Sequence, residues 1–362
     1  MQDKWPLKLV IILTFFGGAA LFLANQCHSV SASHDTLAKQ KGRELPLETL
    51  LKQMVPGQEE AWLRLLTVTN ILDKLPKEES PTVVLDRLNQ LLQEFWLRKA
   101  GSERWQLTDD TLTALQKKSI AEAFTELGLY QEIAPTQEGG QFKQYDCAFL
   151  MGALASRMES RLRYLMKLWE QGVRFDRLYV LVGYRKLSPD QEPITKTLEG
   201  LGIDLNETNM ATYLVPHILQ EIGGFPGVEI IYVNTPINGK AQRATCTDTI
   251  TTWKNQYGLG GQLSTRDRHI LVVSNQPYVE YQASVARRIL SDNFRERIQM
   301  IGHHNTHFQI GNGYTIEAVG HSGVHHKLTV GLDSLARIVY ESHPLWKKQM
   351  VDFQQDKLIK YP

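Results

Sequence analysis

Between residues 45 and 133, apolar residues recur three or four positions apart, which is the spacing of one buried face of an α-helix. The clearest stripe is Val84, Leu88, Leu91, Leu92 and Phe95. It follows Ser80-Pro81, and a serine followed by proline at the first helical position is a typical helix start. The pattern predicts an all-helical N-terminal region over residues 40–135, without evident chemistry.

After residue 140 the pattern changes to short apolar runs that alternate with helical stretches. The predicted strands are Cys147–Met151, Arg177–Val182, Val228–Val233, Ile270–Val273 and Ile298–Ile301. Strands that alternate with helices are typical of a parallel sheet with helices on its faces. We therefore expect an α/β domain over residues 144–345, with a Rossmann-like, doubly wound, mostly parallel sheet.

The first residues have a pattern of their own. Two lysines precede an apolar run over residues 9–24, which is shorter than the ~20 residues needed to span a bilayer but fits a secretory signal. Val-Ser-Ala then ends at Ala32, where small residues precede a cleavage site. We expect residues 1–32 to be a cleaved export signal. The alternatives are an uncleaved membrane anchor and, third, a buried helix of a soluble protein.

Composition narrows the class of protein. The chain has 362 residues, of which 42% are hydrophobic, so it can bury a core, and collagen, disulfide scaffolds and wholesale disorder are excluded. Its 40 basic and 39 acidic residues nearly cancel, which gives no electrostatic support for nucleic-acid binding. Cleavage after Ala32 would leave two cysteines, Cys147 and Cys246, too few for a disulfide scaffold.

Candidate chemistry falls in the loops that follow the predicted strands, because ligands of such sheets bind at the carboxyl ends of the strands. The candidate ligand-binding residues are Gly152, Arg157, Gly183, Arg185, Arg243, Thr245, Ser274 and Asn275. Guanidinium groups and helix N-terminal amides both suit phosphate or carboxylate, so we expect an anion-binding edge with Arg185 and Arg243 as clamps. If the protein is an enzyme, Asp248 is the candidate acid or base, with Ser274 and Asn275 as orienting donors.

Each candidate also has a structural interpretation. Thr245 and Asp248 have the spacing of a capping box, which would use both side chains at a helix start. Gly152 is a single glycine and not a G-x-G-x-x-G fingerprint, and Arg157 lies near a predicted helix start, where surface arginines are common.

Six of the eleven histidines lie close together near the end of the chain. They are His303, His304, His307, His321, His325 and His326. Clustered imidazoles can bind a metal or act as bases, but the spacing matches no metal motif, and residues 309–320 resemble an exposed hairpin. We therefore expect no metal site, and the sequence indicates no particular cofactor.

Several of these segments are similar to a known family. The run from Asp146 to Gly152, the Arg161-Leu162 pair, the segment from Leu168 to Gly172 and the strand ending at Gly183 resemble the opening of the YdcF/SanA/ElyC-type α/β domain. The pieces Arg243–Thr249 and Ile270–Asn275 resemble its two downstream motifs. The likeness covers about residues 144–302.

The chain also departs from that pattern. Gln276-Pro277-Tyr278 stands where the family has a histidine, and Tyr281-Gln282 where it has an Arg-Ala pair. The resemblance implies a bacterial envelope protein with one N-terminal membrane segment that acts in the upkeep of cell wall or surface polysaccharide.

We therefore expect a protein that is exported to the periplasm or tethered to face it, and that binds a small anionic ligand, either nucleotide-like or a lipid phosphate. One alternative is a non-catalytic binding or scaffold module, which the missing histidine favours. Another is a secreted factor that acts on a host.

Export can be tested on the full-length protein, tagged at its C terminus and expressed in a Gram-negative bacterium. We expect N-terminal sequencing of the periplasmic fraction to begin at Ser33. Ala32→Phe should block cleavage and leave the chain on the membrane, because signal peptidase requires a small residue there. A full-length chain recovered from the cytosol would contradict the export prediction.

Overall fold

The computed structural model describes residues 46–142, 144–237, 243–263, 265–293, 295–300, 306–322 and 327–360. The export segment and four of the clustered histidines (His303, His304, His325 and His326) lie outside these residues. From Pro46 onward the chain forms one compact unit. No helix in the described part of the chain has both the length and the apolar character to cross a bilayer.

The N-terminal part of this unit contains helices. They are α1 (Pro46–Met54), α2 (Glu59–Val68), α3 (Pro81–Phe95) and α4 (Ala114–Glu126), with 3-10 turns at Leu72–Lys74 and Arg104–Gln106. Pro81 occupies the first turn of α3, as predicted. The predicted stripe on α3 is buried except for Phe95, which is 48% exposed and lies under the Lys74 ammonium group.

The rest of the chain forms an α/β unit with a seven-stranded sheet. The strands are β3 (Gln144–Met151), β4 (Arg174–Gly183), β5 (Glu229–Thr235), β6 (His269–Asn275), β7 (Ile298–Met300), β8 (His307–Ile310) and β9 (Thr315–His321), and a separate hairpin pairs β1 (Gln137–Glu138) with β2 (Gln141–Phe142). The sheet order is β5-β4-β3-β6-β9-β8-β7. The first five strands in this order are parallel, and β8 is antiparallel to both of its neighbours.

Helices cover both faces of the sheet. They are α5 (Ala155–Glu170), α6 (Ile194–Gly200), α7 (Glu207–Ile222), α8 (Cys246–Tyr257), α9 (Val279–Leu290) and α10 (Leu328–Lys360). Side chains of β3 alternate between the faces: Ala148 and Leu150 pack with α5 and α7, while Cys147 and Phe149 pack with α8, α9 and α10. Burial on both faces explains why β3 is a continuous apolar run.

The first four predicted strands are confirmed, and the fifth is also a strand but is not part of the parallel sheet. Ile298–Met300 is an edge strand beside β8, whereas the fifth parallel strand is Thr315–His321. Residues 309–320 do form the predicted hairpin, but its second strand is not exposed: Ile316, Ala318 and Val319 are fully buried because β9 pairs with β6 in the interior of the sheet.

The helical part is bonded to the sheet and to α10. Ile133 and Gly320 exchange two backbone hydrogen bonds, of 2.9 and 3.0 Å. The amides of Leu328 and Thr329, at the start of α10, each donate to the carboxylate of Asp109 at 2.9 Å. An anion at a helix N-terminus is stabilising, so Asp109 fixes α10 relative to the N-terminal helices.

A substitution at Gly331 can test how closely α10 packs against α4. A Cβ at this position would overlap the ring of Phe124, which is 1% exposed. We expect Gly331→Ala to lower the free energy of unfolding by about 1–2 kcal/mol, because overpacking costs about 1–3 kcal/mol and better helix propensity returns up to ~1. Urea unfolding measures the change.

Gly200→Ala is the matched control, because a Cβ there meets no atom within 4 Å. It should be neutral or slightly stabilising. Equal effects of the two substitutions would show that α4 and α10 do not approach this closely.

Candidate functional site

A cavity of about 230 Å³ lies at the carboxyl ends of β3 and β4. Its walls include Gly152, directly after β3, and Gly183, the last residue of β4. The chain runs from β3 through β4 to β5 on one side and continues with β6 and β9 on the other, so the strand order reverses beside β3. Parallel α/β sheets bind ligands at such a point.

Arginines from four parts of the chain line this cavity. They are Arg98 and Arg104 from the N-terminal part, Arg157 and Arg161 from α5, Arg185 and Arg243 from loops after β4 and β5, and Arg337 from α10. Four carboxylates pair with members of this set: Glu103, Glu192, Glu207 and Asp333. Within the described residues, three positive charges are therefore uncompensated.

Arg161 is the most deeply placed of these cations, at 1% exposure. Its Nε donates to Asn275 Oδ1 at 2.9 Å and its Nη1 to the Met151 carbonyl at 2.5 Å. No carboxylate among the described residues pairs with it. Burial, and next the neighbouring positive charge of Arg157, lower the pKa of Arg161 to about 10. A bound anion would relieve both effects.

Arg157 lies one helical turn before Arg161. Its guanidinium carbon is 5.1 Å from the centroid of the Tyr278 ring, and Arg104 approaches the same ring at 4.5 Å. In the described part of the chain, no hydrogen-bond acceptor faces the Arg157 guanidinium. Arg157 and Arg104 thus come from separate elements to one aromatic ring at the cavity, within about 10 Å of each other.

Asp333 forms ion pairs with the three arginines that come from the N-terminal part and α10. Its Oδ2 lies 3.3 Å from Arg98, 2.9 Å from Arg104 and 3.2 Å from Arg337. Its side chain is fully buried. Burial alone would raise the pKa of Asp333, but the three guanidinium groups lower it to about 2. One carboxylate thus holds three cations at the wall of the cavity.

Arg185 does not fit the predicted role of an anion clamp. Its Nη1 and Nη2 donate to Glu192 at 2.8 and 2.9 Å, and its Nε donates to Glu207 at 2.6 Å. Two carboxylates therefore occupy its hydrogen-bonding edges. Burial raises the pKa of Glu207, although Arg185 and Arg243 oppose this. The second oxygen of Glu207 lies beside Gly152, in the cavity wall.

In the structure, Asp248 caps a helix. Its carboxylate accepts the Thr245 amide at 2.7 Å, and its own amide donates to Thr245 Oγ1 at 3.4 Å, which is a capping box at the start of α8. Thr245 lines the cavity, but Asp248 does not. The geometry therefore argues against Asp248 as the acid or base.

Two further predicted residues lie behind the cavity wall. Ser274 is fully buried, and its hydroxyl donates to the Asn275 carbonyl at 3.5 Å. Asn275 contacts Arg161 and can act on a ligand only by positioning that guanidinium. The predicted residues that the structure does bring to the cavity are Gly152, Arg157, Gly183, Arg185, Arg243 and Thr245.

Other cavity residues were not among the predicted site residues. They include Arg98, Glu103, Arg104, Arg161, Glu207, Cys246, Tyr278, Tyr281, Gln282 and Arg337. Most come from helices, which a rule based on strand ends does not consider. For Tyr278, the available signal was its position directly after the loop that follows β6.

The described histidines of the C-terminal cluster are engaged elsewhere. His307 Nδ1 lies 3.1 Å from Thr136 Oγ1, and His321 Nδ1 lies 2.8 Å from the Ser322 carbonyl. Across the described ranges, no group of three or more His, Cys, Asp or Glu side chains is arranged to hold a metal ion.

The arginine cluster on Asp333 predicts a pH dependence of stability. A pKa lowered from 3.8 to about 2 stabilises the fold while the carboxylate is ionised, so this contribution is complete above about pH 4 and is lost as pH falls through 2. It amounts to about 2 kcal/mol. Urea unfolding of the wild type should show part of this loss between pH 5 and 3.

Asp333→Asn removes the titrating group and leaves three arginines without a counterion. The variant should be about 3–5 kcal/mol less stable at pH 6 and should lack that part of the acid dependence. Identical pH profiles for the two proteins would contradict the assignment.

No protein-family model matches this chain, and neither does any curated protein. The geometry of the arginine-lined cavity is therefore the ground on which a function can be proposed.

Proposed function

We propose that this protein binds a small phosphate-bearing ligand in the arginine-lined cavity, as an exported or membrane-tethered bacterial envelope protein. The observation that carries the proposal is Arg161, a buried guanidinium that faces neutral acceptors and no carboxylate. Burying an uncompensated charge is costly, and an anionic ligand would offset that cost.

The size of the charge excess favours phosphate over a single carboxylate. Three uncompensated arginine charges match a group that carries two or more negative charges, and the guanidinium fork suits phosphate oxygens. α5 also begins at the cavity with no acidic residue in its first turn. Its Ala155 amide donates to Glu192 Oε1 at 3.3 Å, so the positive end of the helix dipole is partly offset and the arginines supply the main attraction.

The sheet supports the same proposal. The order β5-β4-β3-β6-β9 has the 3-2-1-4-5 sequence of a Rossmann-like doubly wound sheet, in which the first strand–helix turn holds a pyrophosphate. Here that turn is Gly152-Ala153-Leu154, between β3 and α5, and it lines the cavity. The volume is below the ~300 Å³ at which drug-sized sites begin, so a compact ligand or headgroup fits best.

The envelope location is supported by the sequence alone. The apolar segment at residues 9–24 and the YdcF/SanA/ElyC-type motif residues both favour it. A secreted factor that acts on a host uses the same export signal and stays as an alternative.

The non-catalytic alternative has a structural observation in its favour. Asp248 is used in a helix cap, and Arg185 is saturated by two carboxylates, so two of the residues expected to act on a substrate are engaged in the fold. Ligand binding without catalysis is therefore the simpler form of the proposal, because it requires no further catalytic group.

Calorimetric titration of the full-length protein with pyrophosphate, ADP and a polyprenyl phosphate tests the proposal. We expect at least one of them to bind, and Arg157→Met to weaken it roughly 10- to 100-fold, the value of a charge-assisted hydrogen bond. Affinity should also fall as salt is raised, because screening weakens ion pairing.

Arg163→Met is the matched control, because Arg163 lies on the same helix but pairs with Glu159 and Glu221 at the surface. It should leave affinity unchanged. The proposal fails if none of the three ligands binds, or if both variants weaken binding equally.

A further inference from the structure

The arginine-lined cavity also contains hydrogen-bond acceptors, which a site for a bare anion does not need. Gln282, on α9, is 3% exposed and lines the cavity. Its Nε2 points to Cys246 Sγ at 3.7 Å, and its Oε1 is buried with no donor among the described residues. A buried amide oxygen left unsatisfied costs about 1–3 kcal/mol, so a donor is expected to meet it.

Glu207 supplies a second acceptor to the cavity, from α7 on the opposite face of the sheet. Its Oε2 accepts a hydrogen bond from Arg185 Nε. Its Oε1 lies beside Gly152, and no donor in the described part of the chain bonds to it. A fully ionised phosphate group cannot satisfy either oxygen, since its oxygens are acceptors only. Hydroxyl or amide groups of a ligand can do so.

The arrangement of donors and acceptors therefore describes a ligand with two unlike ends. One end is anionic and meets Arg157, Arg161 and the start of α5. The other end donates a hydrogen bond to Gln282, and a hydroxyl group nearer the phosphate can donate to Glu207 beside Gly152. A cavity of about 230 Å³ limits both ends to a compact molecule.

We propose that the ligand is the phosphate ester of a small polyol, a class that includes sugar phosphates and glycerol phosphates, and that Gln282 selects it by accepting a hydroxyl hydrogen bond. This inference rests on the proposed phosphate-binding function and specifies its ligand. The selecting residue lies in the Tyr281-Gln282 pair, where the chain departs from the YdcF/SanA/ElyC-type pattern.

A pair of matched ligands tests the inference. Glycerol 3-phosphate and n-propyl phosphate have the same chain length and the same phosphate, and differ in two hydroxyl groups. Calorimetric titration of the full-length protein should show glycerol 3-phosphate binding roughly 3- to 10-fold more tightly, the value of one net hydrogen bond.

Gln282→Leu should abolish this preference and leave the affinity for n-propyl phosphate unchanged. Gln276→Leu is the matched control, because Gln276 is also buried, at 2% exposure, with an unsatisfied Oε1, but lies in a different small cavity. It should keep the preference. Circular dichroism of both variants checks that they are folded, and Gln282→Met repeats the test should the leucine variant fail to fold.

Each contrary result has a distinct meaning. Equal wild-type affinity for the two esters overturns the polyol inference and leaves phosphate binding intact. An equal loss of both affinities in Gln282→Leu also overturns it, because Gln282 would then donate to the phosphate itself. Failure of both esters to bind overturns the polyol inference, and if pyrophosphate, ADP and the polyprenyl phosphate also fail, the proposed function is overturned as well.

A polyol phosphate can be a free metabolite or a lipid headgroup. Co-sedimentation with phosphatidylglycerol vesicles, compared with phosphatidylcholine vesicles, separates the two sources. Selective sedimentation that Gln282→Leu removes supports the headgroup, and binding of soluble glycerol 3-phosphate without sedimentation supports the free ester.

Discussion

The mutual repulsion of seven arginines around one small cavity is the constraint on which the rest of the structure depends. Four carboxylates offset part of it, and Asp333 alone is shared by three guanidinium groups. Arg161 makes no ion pair with any of them and is held by neutral oxygens of Asn275 and Met151. A fold that maintains such an arrangement without an anion bears an electrostatic cost, and ligand binding would remove it.

The N-terminal helices and α10 have a part in the site as well as in the core. Arg98 and Arg104 reach the cavity from the N-terminal part of the chain, and Arg337 reaches it from α10. Their positions depend on the Asp109 cap at the start of α10 and on the backbone pairing of Ile133 with Gly320. The helical part therefore supplies one charged wall of a site whose floor belongs to the sheet.

The sequence predicted the elements that follow from local patterns. β3, β4, β5 and β6 were recognisable because strands buried on both faces are continuous apolar runs, and the strand-end rule then located Gly152, Gly183 and Arg243. The position of β9 inside the sheet was not predicted, because Glu317 interrupts its apolar run; in the structure that carboxylate accepts the Tyr145 hydroxyl at 2.7 Å inside the protein. The ion pairs of Asp333 were not predicted for another reason. Arg98 and Asp333 are 235 positions apart in the sequence, and no local pattern encodes such a contact.

An X-ray structure of the full-length protein co-crystallised with tungstate would show whether an anion binds beside Arg157 and Arg161. Tungstate has the tetrahedral shape of phosphate, and its anomalous signal identifies it without ambiguity. We expect a tungsten peak within hydrogen-bonding reach of both guanidinium groups, at the start of α5. A tungsten peak only at surface arginines, with the cavity empty or closed, would contradict it.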